Sequence, residues 1–287
     1  MAGLTEEQLA EFSDLGFVIV EDLLPSDVLD RIEQDITDII DDLVDEAHGA
    51  GRLPERFDGD PFDLRLANLR NVMGEDCEFE RAVTGKNLRS AGMFSLMTCG
   101  EILDLVDSVI GPEILVHPQF NCQAKFPRES ESMIPWHQDL GFLDPSAEET
   151  TMVNFWIPLV NATVENGCLE VLTRSHRFGL KPHGEVTGYP SAGILEGNVP
   201  QGAPRACPVK RGSAVVFQHR TIHRSFPNRS ERIRWSVDIR YCDPRLPTGR
   251  DEVPGFVGGS FLNPASVTTS HLEWERNLNG IDPEPFA

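Results

Sequence analysis

The sequence predicts a mainly β core with flanking helices, and three observations carry that expectation. Up to about residue 112 the apolar residues recur at helical spacing, as in Leu29, Ile32, Ile36, Ile39, Ile40 and Leu43. After 113 the pattern changes to short apolar runs separated by turn residues, which read as strands near 114–126, 133–139, 152–159, 167–172, 213–218 and 233–241. No Ser/Gly linker divides the two regions, so residues 1–287 are expected to form a single domain. Its parts are a helical N-terminal region of about 1–112, a β core of about 113–242 and a tail of 243–287.

In chain order, Thr5-Glu6-Glu7-Gln8 matches a capping box and predicts a short helix to about Phe12. Phe17-Val18-Ile19-Val20 reads as a strand entered from Gly16, and Pro25-Ser26 opens a longer amphipathic helix. The opposite face of that helix carries Asp30, Glu33, Asp38, Asp41, Asp42 and Asp45 without the spacing of a cation-binding loop, so it reads as a solvated face. Residues 48–62 form a Gly/Pro-rich loop, and 79–109 look helical until Gly111-Pro112 stops them. The stretch between Arg174 and Gly212 shows little strand pattern. Connections of that length are commonly lids or binding loops, so it and 48–62 are the candidates for covering a site. The tail is Pro/Gly-rich with a helical patch near 271–278 that could pack on the core or join a dimer contact.

Bulk properties narrow the function classes. A net charge of −21 argues against nucleic-acid binding, which needs basic patches. No run approaches the ~18 uninterrupted apolar residues of a membrane span, and the acidic N-terminus lacks the basic and apolar regions of a signal peptide. Six cysteines without a Cys-x-x-Cys pair read as reduced thiols, so a cytoplasmic setting is expected.

The chemistry concentrates in Trp136-His137-Gln138-Asp139 and, far downstream, Thr221-Ile222-His223. On a strand, His137 and Asp139 would share one face, one pleat apart. A second imidazole from another strand would complete two nitrogens and one oxygen around a metal, the facial set of non-haem Fe(II) oxygenases with open positions for co-substrate and O2. The last predicted strand alternates Trp235, Val237, Ile239 and Tyr241 with Arg234, Ser236, Asp238 and Arg240, and its polar face should either meet water or line a polar pocket. Arg234, eleven positions beyond His223, is placed to fork onto a small carboxylate there. Histidines 117, 176, 183 and 219 read as structural.

These stretches, together with Phe155-Trp156-Ile157-Pro158-Leu159, Glu165 to Leu172, Ser175-His176 and Asn228-Arg229-Ser230, run in the order of the phytanoyl-CoA dioxygenase family, which the chain resembles from about 114 to 241. The resemblance implies a double-stranded β-helix, a jelly-roll core with helices outside one sheet. It implies Fe(II) held by His137, Asp139 and His223, with Arg234 gripping the distal carboxylate of 2-oxoglutarate and O2 as oxidant. Gln138, Trp156, Ser225, Asn121 and Lys125 match positions that line the co-substrate pocket. Where relatives commonly carry Pro-Gly before Ser-His, this chain has Thr173-Arg174, which changes a turn and not a ligand.

The expected activity is a dioxygenase that hydroxylates a small-molecule metabolite or natural product with release of succinate and CO2. Halogenating relatives have a small residue at the position of Asp139, so the resemblance implies hydroxylation over halogenation. The partner is a small molecule, with no nucleic acid and no membrane, and the protein is expected to be a monomer or homodimer. The alternatives are an acyl-CoA hydroxylase, a catalytically silent jelly-roll metal-binding or sensing protein, and a cupin-type metal isomerase that would not need Arg234.

Overall fold

The computed structural model describes residues 3–74, 78–128, 134–189, 191–250 and 255–278. The chain enters through α1 (Glu6–Leu15), where Thr5 and Gln8 close the capping box, and passes through Gly16 at φ 85° into β1 (Phe17–Val20). The long α2 (Ser26–Gly49) follows, then α3 (Phe62–Met73), α4 (Glu78–Val83), α5 (Ala91–Met97) and α6 (Gly100–Ile110). The core strands are β2 (Ile114–Val116), β3 (Asn121–Lys125), β4 (Val153–Pro158) and β5 (Leu169–Leu172). After them come β6 (His183–Gly184), β7 (Gly193–Ile194), β8 (Pro204–Cys207), β9 (Ala214–Gln218), β10 (His223–Ser225), β11 (Arg234–Cys242) and β12 (Phe256–Gly259), and α7 (His271–Leu278) closes the described chain.

Among the described residues the larger sheet runs β1-β9-β4-β11-β2-β12, with β3 also paired to β11; the smaller sheet is β10-β5-β8. All core pairings are antiparallel, so each inward side chain meets a defined cross-strand neighbour. Alternation then sorts the larger sheet into two faces. Val18, Val216, Phe155, Val237, Ile239 and Cys122 join the core formed with Leu29, Ile32, Ile36 and Ile40 of α2. Phe17, Val215, Phe217 and Trp156 turn the other way, to meet Leu169, Val171 and Cys207 of the smaller sheet. The space between the sheets is the interior of the jelly roll.

Several expectations need correction. Residues 79–109 are not one helix but α4, α5 and α6, because Ser90 caps a new start and Cys99 begins another. The strand 114–126 is two, β2 and β3, separated at His117–Phe120. The strand 133–139 is absent where it is described: His137 makes an isolated bridge to His223, and Asp139–Phe142 is a 3-10 turn, while residue 133 lies outside the described residues. The segment 174–212 contains β6, β7 and β8, and α3 and β12 were not anticipated.

Loop 48–62 does not reach the site. Its Asp58 pairs with Arg65 of α3, which also binds Asp41 of α2, so it ties helix to helix. At the Thr173-Arg174 departure, Arg174 adopts φ 63°, the left-handed region that glycine occupies without strain. Its guanidinium binds Asp14 and its N–H binds the carbonyl of Leu15, and both contacts anchor the turn.

Candidate metal centre and keto-acid pocket

His137 and His223 face each other across the bridge between their backbones, with N–H to carbonyl distances of 2.9 and 3.0 Å in the two directions. This pairing fixes both imidazoles from the main chain, with their ring centroids 4.1 Å apart. His137 Nδ1 lies 2.9 Å from the carbonyl of Pro135, and His223 Nδ1 lies 3.0 Å from that of Thr221. A carbonyl only accepts, so each Nδ1 carries the proton and each Nε2 is left as a bare lone pair. Both Nε2 atoms turn toward Asp139 Oδ1, at 3.7 and 4.0 Å. The ligand atoms of His137, Asp139 and His223 all lie within 4.8 Å of one another and all three residues are buried, so they can hold a single metal ion.

The electrostatics suit that role. Burial, and then the neighbouring His223, push the His137 imidazole down to about 3, so it stays neutral at physiological pH. Burial also lowers His223. Burial by itself would raise the Asp139 carboxyl, but Arg240, His223 and His137 outweigh it and hold Asp139 well below the usual carboxylate range. The donor set is therefore two neutral imidazoles and one carboxylate without protons to displace, which fits a divalent cation.

Asp139 is itself held in place. Arg240 Nη2 lies 3.1 Å from its Oδ1 and Nε donates to Oδ2 at 3.3 Å, while Asn154 Nδ2 donates to Oδ2 from β4. Sequence reasoning put Arg240 on the polar face of its strand but did not find its partner. The available signal for Asn154 was a lone amide inside the apolar run Val153-Asn154-Phe155-Trp156-Ile157.

His137, Asp139 and His223 open on a cavity of about 160 Å³ lined by Asn121, Gln123, Phe142, Trp156, Leu169, Ser191, Ser225, Asp238 and Arg240. Thus Asp238 and Arg240 line the pocket from the polar face of β11, while Arg234 and Ser236 of the same face are fully buried and do not line it. Asn121, Gln123 and Lys125 of β3 stand beside Asp238, Ser236 and Arg234 in register. Arg234 has no solvent exposure, stacks its guanidinium 5.1 Å from the Trp156 ring and donates from Nη1 to Ser236. Its Nε and Nη2 are buried without a hydrogen-bond partner. Two unspent donors on a buried cation are costly unless an anion completes them, which is the condition a keto-diacid's carboxylate would meet.

Lys125 Nζ donates to Ser225 Oγ at 2.6 Å and to the carbonyl of Phe226 at 2.7 Å. Burial, and then the adjacent Arg234 charge, push its ammonium down to about 6. The fold thus loses stability at every pH below the unfolded value near 10.5. Between those limits the unfolded chain holds a proton that the folded chain lacks, so stability rises with pH. Between pH 7 and 9 the ligand-free protein should gain thermal stability, and Lys125→Met should flatten that rise. Melting temperature against pH for both proteins checks this.

Gly167 sits opposite Lys125 at φ 95°, where a Cβ would come within 2.7 Å of both Lys125 Cδ and the Phe226 carbonyl. Gly167→Ala should destabilise the protein by about 1–3 kcal/mol, measured by denaturant unfolding.

The other predicted residues divide. Trp156, Ser225 and Asn121 line the cavity, and Lys125 reaches Ser225 at its wall. Gln138 does not. Its side chain donates to the carbonyls of Gly179 and Arg220 and accepts from Lys181 N–H, so it clasps the 174–212 segment to the barrel. His117, His176, His183 and His219 bond backbone groups, as expected of structural histidines. The segment 174–212 does approach the site: Ser191 lines the cavity, and His183 packs against the Phe142 ring.

A jelly roll that turns such a face inward is the architecture of the Fe(II)- and 2-oxoglutarate-dependent dioxygenases, and this chain is one of them. Within that class it belongs to the phytanoyl-CoA dioxygenase (PhyH) family, whose model matches residues 12–236. Human peroxisomal phytanoyl-CoA dioxygenase is 24% identical over 253 residues, covering 83% of this chain and 68% of that protein. The solved structure of the non-heme monooxygenase ThoJ superposes with a TM-score of 0.65 at 18% identity, covering 95% of this chain and 92% of ThoJ. The epimerase SnoN, solved with Fe3+, alpha ketoglutarate and nogalamycin RO, superposes at 0.54 with 20% identity, covering 85% of this chain and 86% of SnoN. No helix among the described residues is long and apolar enough to cross a membrane.

Proposed function

We propose that the chain hydroxylates an unactivated C–H bond of a small-molecule metabolite or natural product. In this reading His137, Asp139 and His223 hold Fe(II), and Arg234 receives the distal carboxylate of 2-oxoglutarate. Trp156, Ser225, Asn121 and Lys125 shape its pocket. The observation that carries it is the pair of free Nε2 atoms and one carboxylate converging in a cavity whose Trp156 wall stacks on the buried Arg234 guanidinium, two of whose nitrogens are unspent. Bound iron would couple oxidative decarboxylation of the keto acid by O2 to oxidation of the substrate, giving succinate, CO2 and the alcohol.

The chain's own residues do the rest. The Pro135 and Thr221 carbonyls fix the imidazole tautomers. Arg234 and Lys125 hold the far end of the co-substrate, while Trp156 and Leu169 keep bulk water from it. Preorganised charge in a dry cavity is where such contacts count most.

A cavity of about 160 Å³ suits a small diacid and is below the ~300–1,000 Å³ of drug-sized sites, so the substrate would engage at the mouth, near Phe142 and Ser191. The nogalamycin RO solved with the neighbour SnoN supports a substrate of that kind. Oxidation of an acyl-CoA is the second reading, favoured by the activity in the human relative's name, but a net charge of −21 opposes a polyanionic thioester. The buried free thiols of Cys99, Cys122, Cys168, Cys207 and Cys242 are in keeping with a reducing, cytoplasmic setting, while Cys77 lies outside the described residues. Succinate release, screened over small metabolites and acyl-CoAs with Fe(II), 2-oxoglutarate and O2, tests both substrate classes. Turnover only with acyl-CoAs would overturn the first, and no succinate with any compound would favour a silent binding protein.

A further inference from the structure

We propose that Arg240 is a positioning residue that fixes Asp139 as a one-oxygen metal ligand and so keeps the neighbouring coordination positions open for the keto acid. The inference rests on the ligand assignment above and adds a residue that the assignment does not contain.

Arg240 is 6% exposed, and its guanidinium is spent on three contacts: Nη2 at 3.1 Å from Asp139 Oδ1, Nε at 3.3 Å from Oδ2 and Nη1 at 3.2 Å from the carbonyl of Gln119. The Gln119 bond ties the fork to the backbone just before β3, so the guanidinium cannot follow the carboxylate if it rotates. From the opposite strand Asn154 donates to the same Oδ2. The two oxygens of Asp139 are therefore unequal. Oδ2 carries two donors, while Oδ1 carries one and is the oxygen nearest both free Nε2 atoms, at 3.7 and 4.0 Å. A carboxylate held this way offers one oxygen. Released, it could offer both, and the second would take a position that the keto acid needs.

Stability alone does not explain this arrangement. A buried ion pair commonly adds no more than a well-packed apolar pair would, so a charge placed here calls for another reason. Arg240 also lines the cavity, two positions from Asp238, a second carboxyl on the same strand face. A cation on the ligand carboxylate further withdraws electron density from it. That is the reverse of the carboxylate partners that raise the basicity of metal-bound histidines.

Opposite signs then distinguish this role from others. Arg240→Gln removes a positive charge next to the cation site, so Fe(II) alone should bind about tenfold tighter, while the released carboxylate should make 2-oxoglutarate bind the Fe(II) protein at least about tenfold more weakly. A purely structural role would weaken both. A guanidinium that touches the keto acid directly would weaken only the second.

The test is anaerobic titration of wild type, R240Q and R240K, first with Fe(II) and then with 2-oxoglutarate, followed by the visible absorption of the chelate. R240K, which keeps the charge but not the fork, should fall between the other two; should R240Q fail to fold, R240K carries the same comparison. Unchanged iron affinity in a folded variant, or weakening of both steps, would overturn the proposal. A wild-type protein that binds no Fe(II) would instead sink the underlying ligand assignment.

Discussion

His223→Ala is expected to reduce Fe(II) affinity by more than about 100-fold, beyond the roughly 10–100-fold that partners one layer out from a metal usually contribute. His223 supplies one of the two neutral nitrogens of the proposed centre, and among the described residues no other His, Cys, Asp or Glu joins that cluster. The main-chain bridge to His137 survives the change because it needs no side chain. The protein should therefore stay folded, losing the ring contacts to His137 and Phe217 and the Nδ1 bond to the Thr221 carbonyl. His219→Ala is the matched control. That residue is four positions earlier and also buried, but its Nε2 bonds the carbonyl of Ala147 and is not free for a metal. Equilibrium dialysis of Fe(II), with circular dichroism on both variants, should show loss of binding in the first alone. Equal iron affinity in H223A and wild type would remove His223 from the ligand set.

Arg234→Met should separate the two halves of the site. Iron binding should survive, because Arg234 contacts none of the three metal ligands in the structure. The dissociation constant for 2-oxoglutarate should rise by about 100-fold or more, since a forked, charge-assisted pair contributes on the order of 3 kcal/mol and each 1.4 kcal/mol is a factor of ten. The same variant should melt no lower, and even higher, without co-substrate. Its wild-type guanidinium is buried with Nε and Nη2 unbonded, and burial pushes its ionisation down to about 10. Methionine removes that desolvated charge at similar volume. Calorimetric titration for affinity and thermal melts for stability check the pair of outcomes. A lower melting temperature with unchanged 2-oxoglutarate binding would mark Arg234 as a structural cation.

Much of this site was legible in the sequence because strand alternation is a strong constraint. The two faces of Arg234–Cys242 separate as the period of two requires, so one strand supplies both Trp235, Val237, Ile239 and Tyr241 to the core and Arg234, Asp238 and Arg240 to the interior. The same rule was misapplied upstream. His137 and Asp139 converge not because they share a pleat but because the chain turns at Asp139 into a 3-10 segment. Gly141 permits that turn to close against His183, whose ring would lie 2.4 Å from any Cβ there. Gln138, between His137 and Asp139, bonds Gly179, Arg220 and Lys181 instead of the cavity.

Other features were hidden because they depend on pairing across the chain. The Arg240 and Asn154 contacts to Asp139 join three distant segments, and no local pattern encodes them. Helix α3 was missed because its buried face includes Arg65, made tolerable only by Asp41 and Asp58. The break at Ser90 between α4 and α5 is a capping signal that periodicity overrode.

The most direct measurement is anaerobic addition of Fe(II) and then 2-oxoglutarate to the wild-type protein, read by visible absorption. A weak charge-transfer band that saturates at one equivalent of each, and is lost in D139A and H223A, is the predicted result. A protein that takes up neither ligand while remaining folded would contradict the convergence of His137, Asp139 and His223 on one iron beside Arg234.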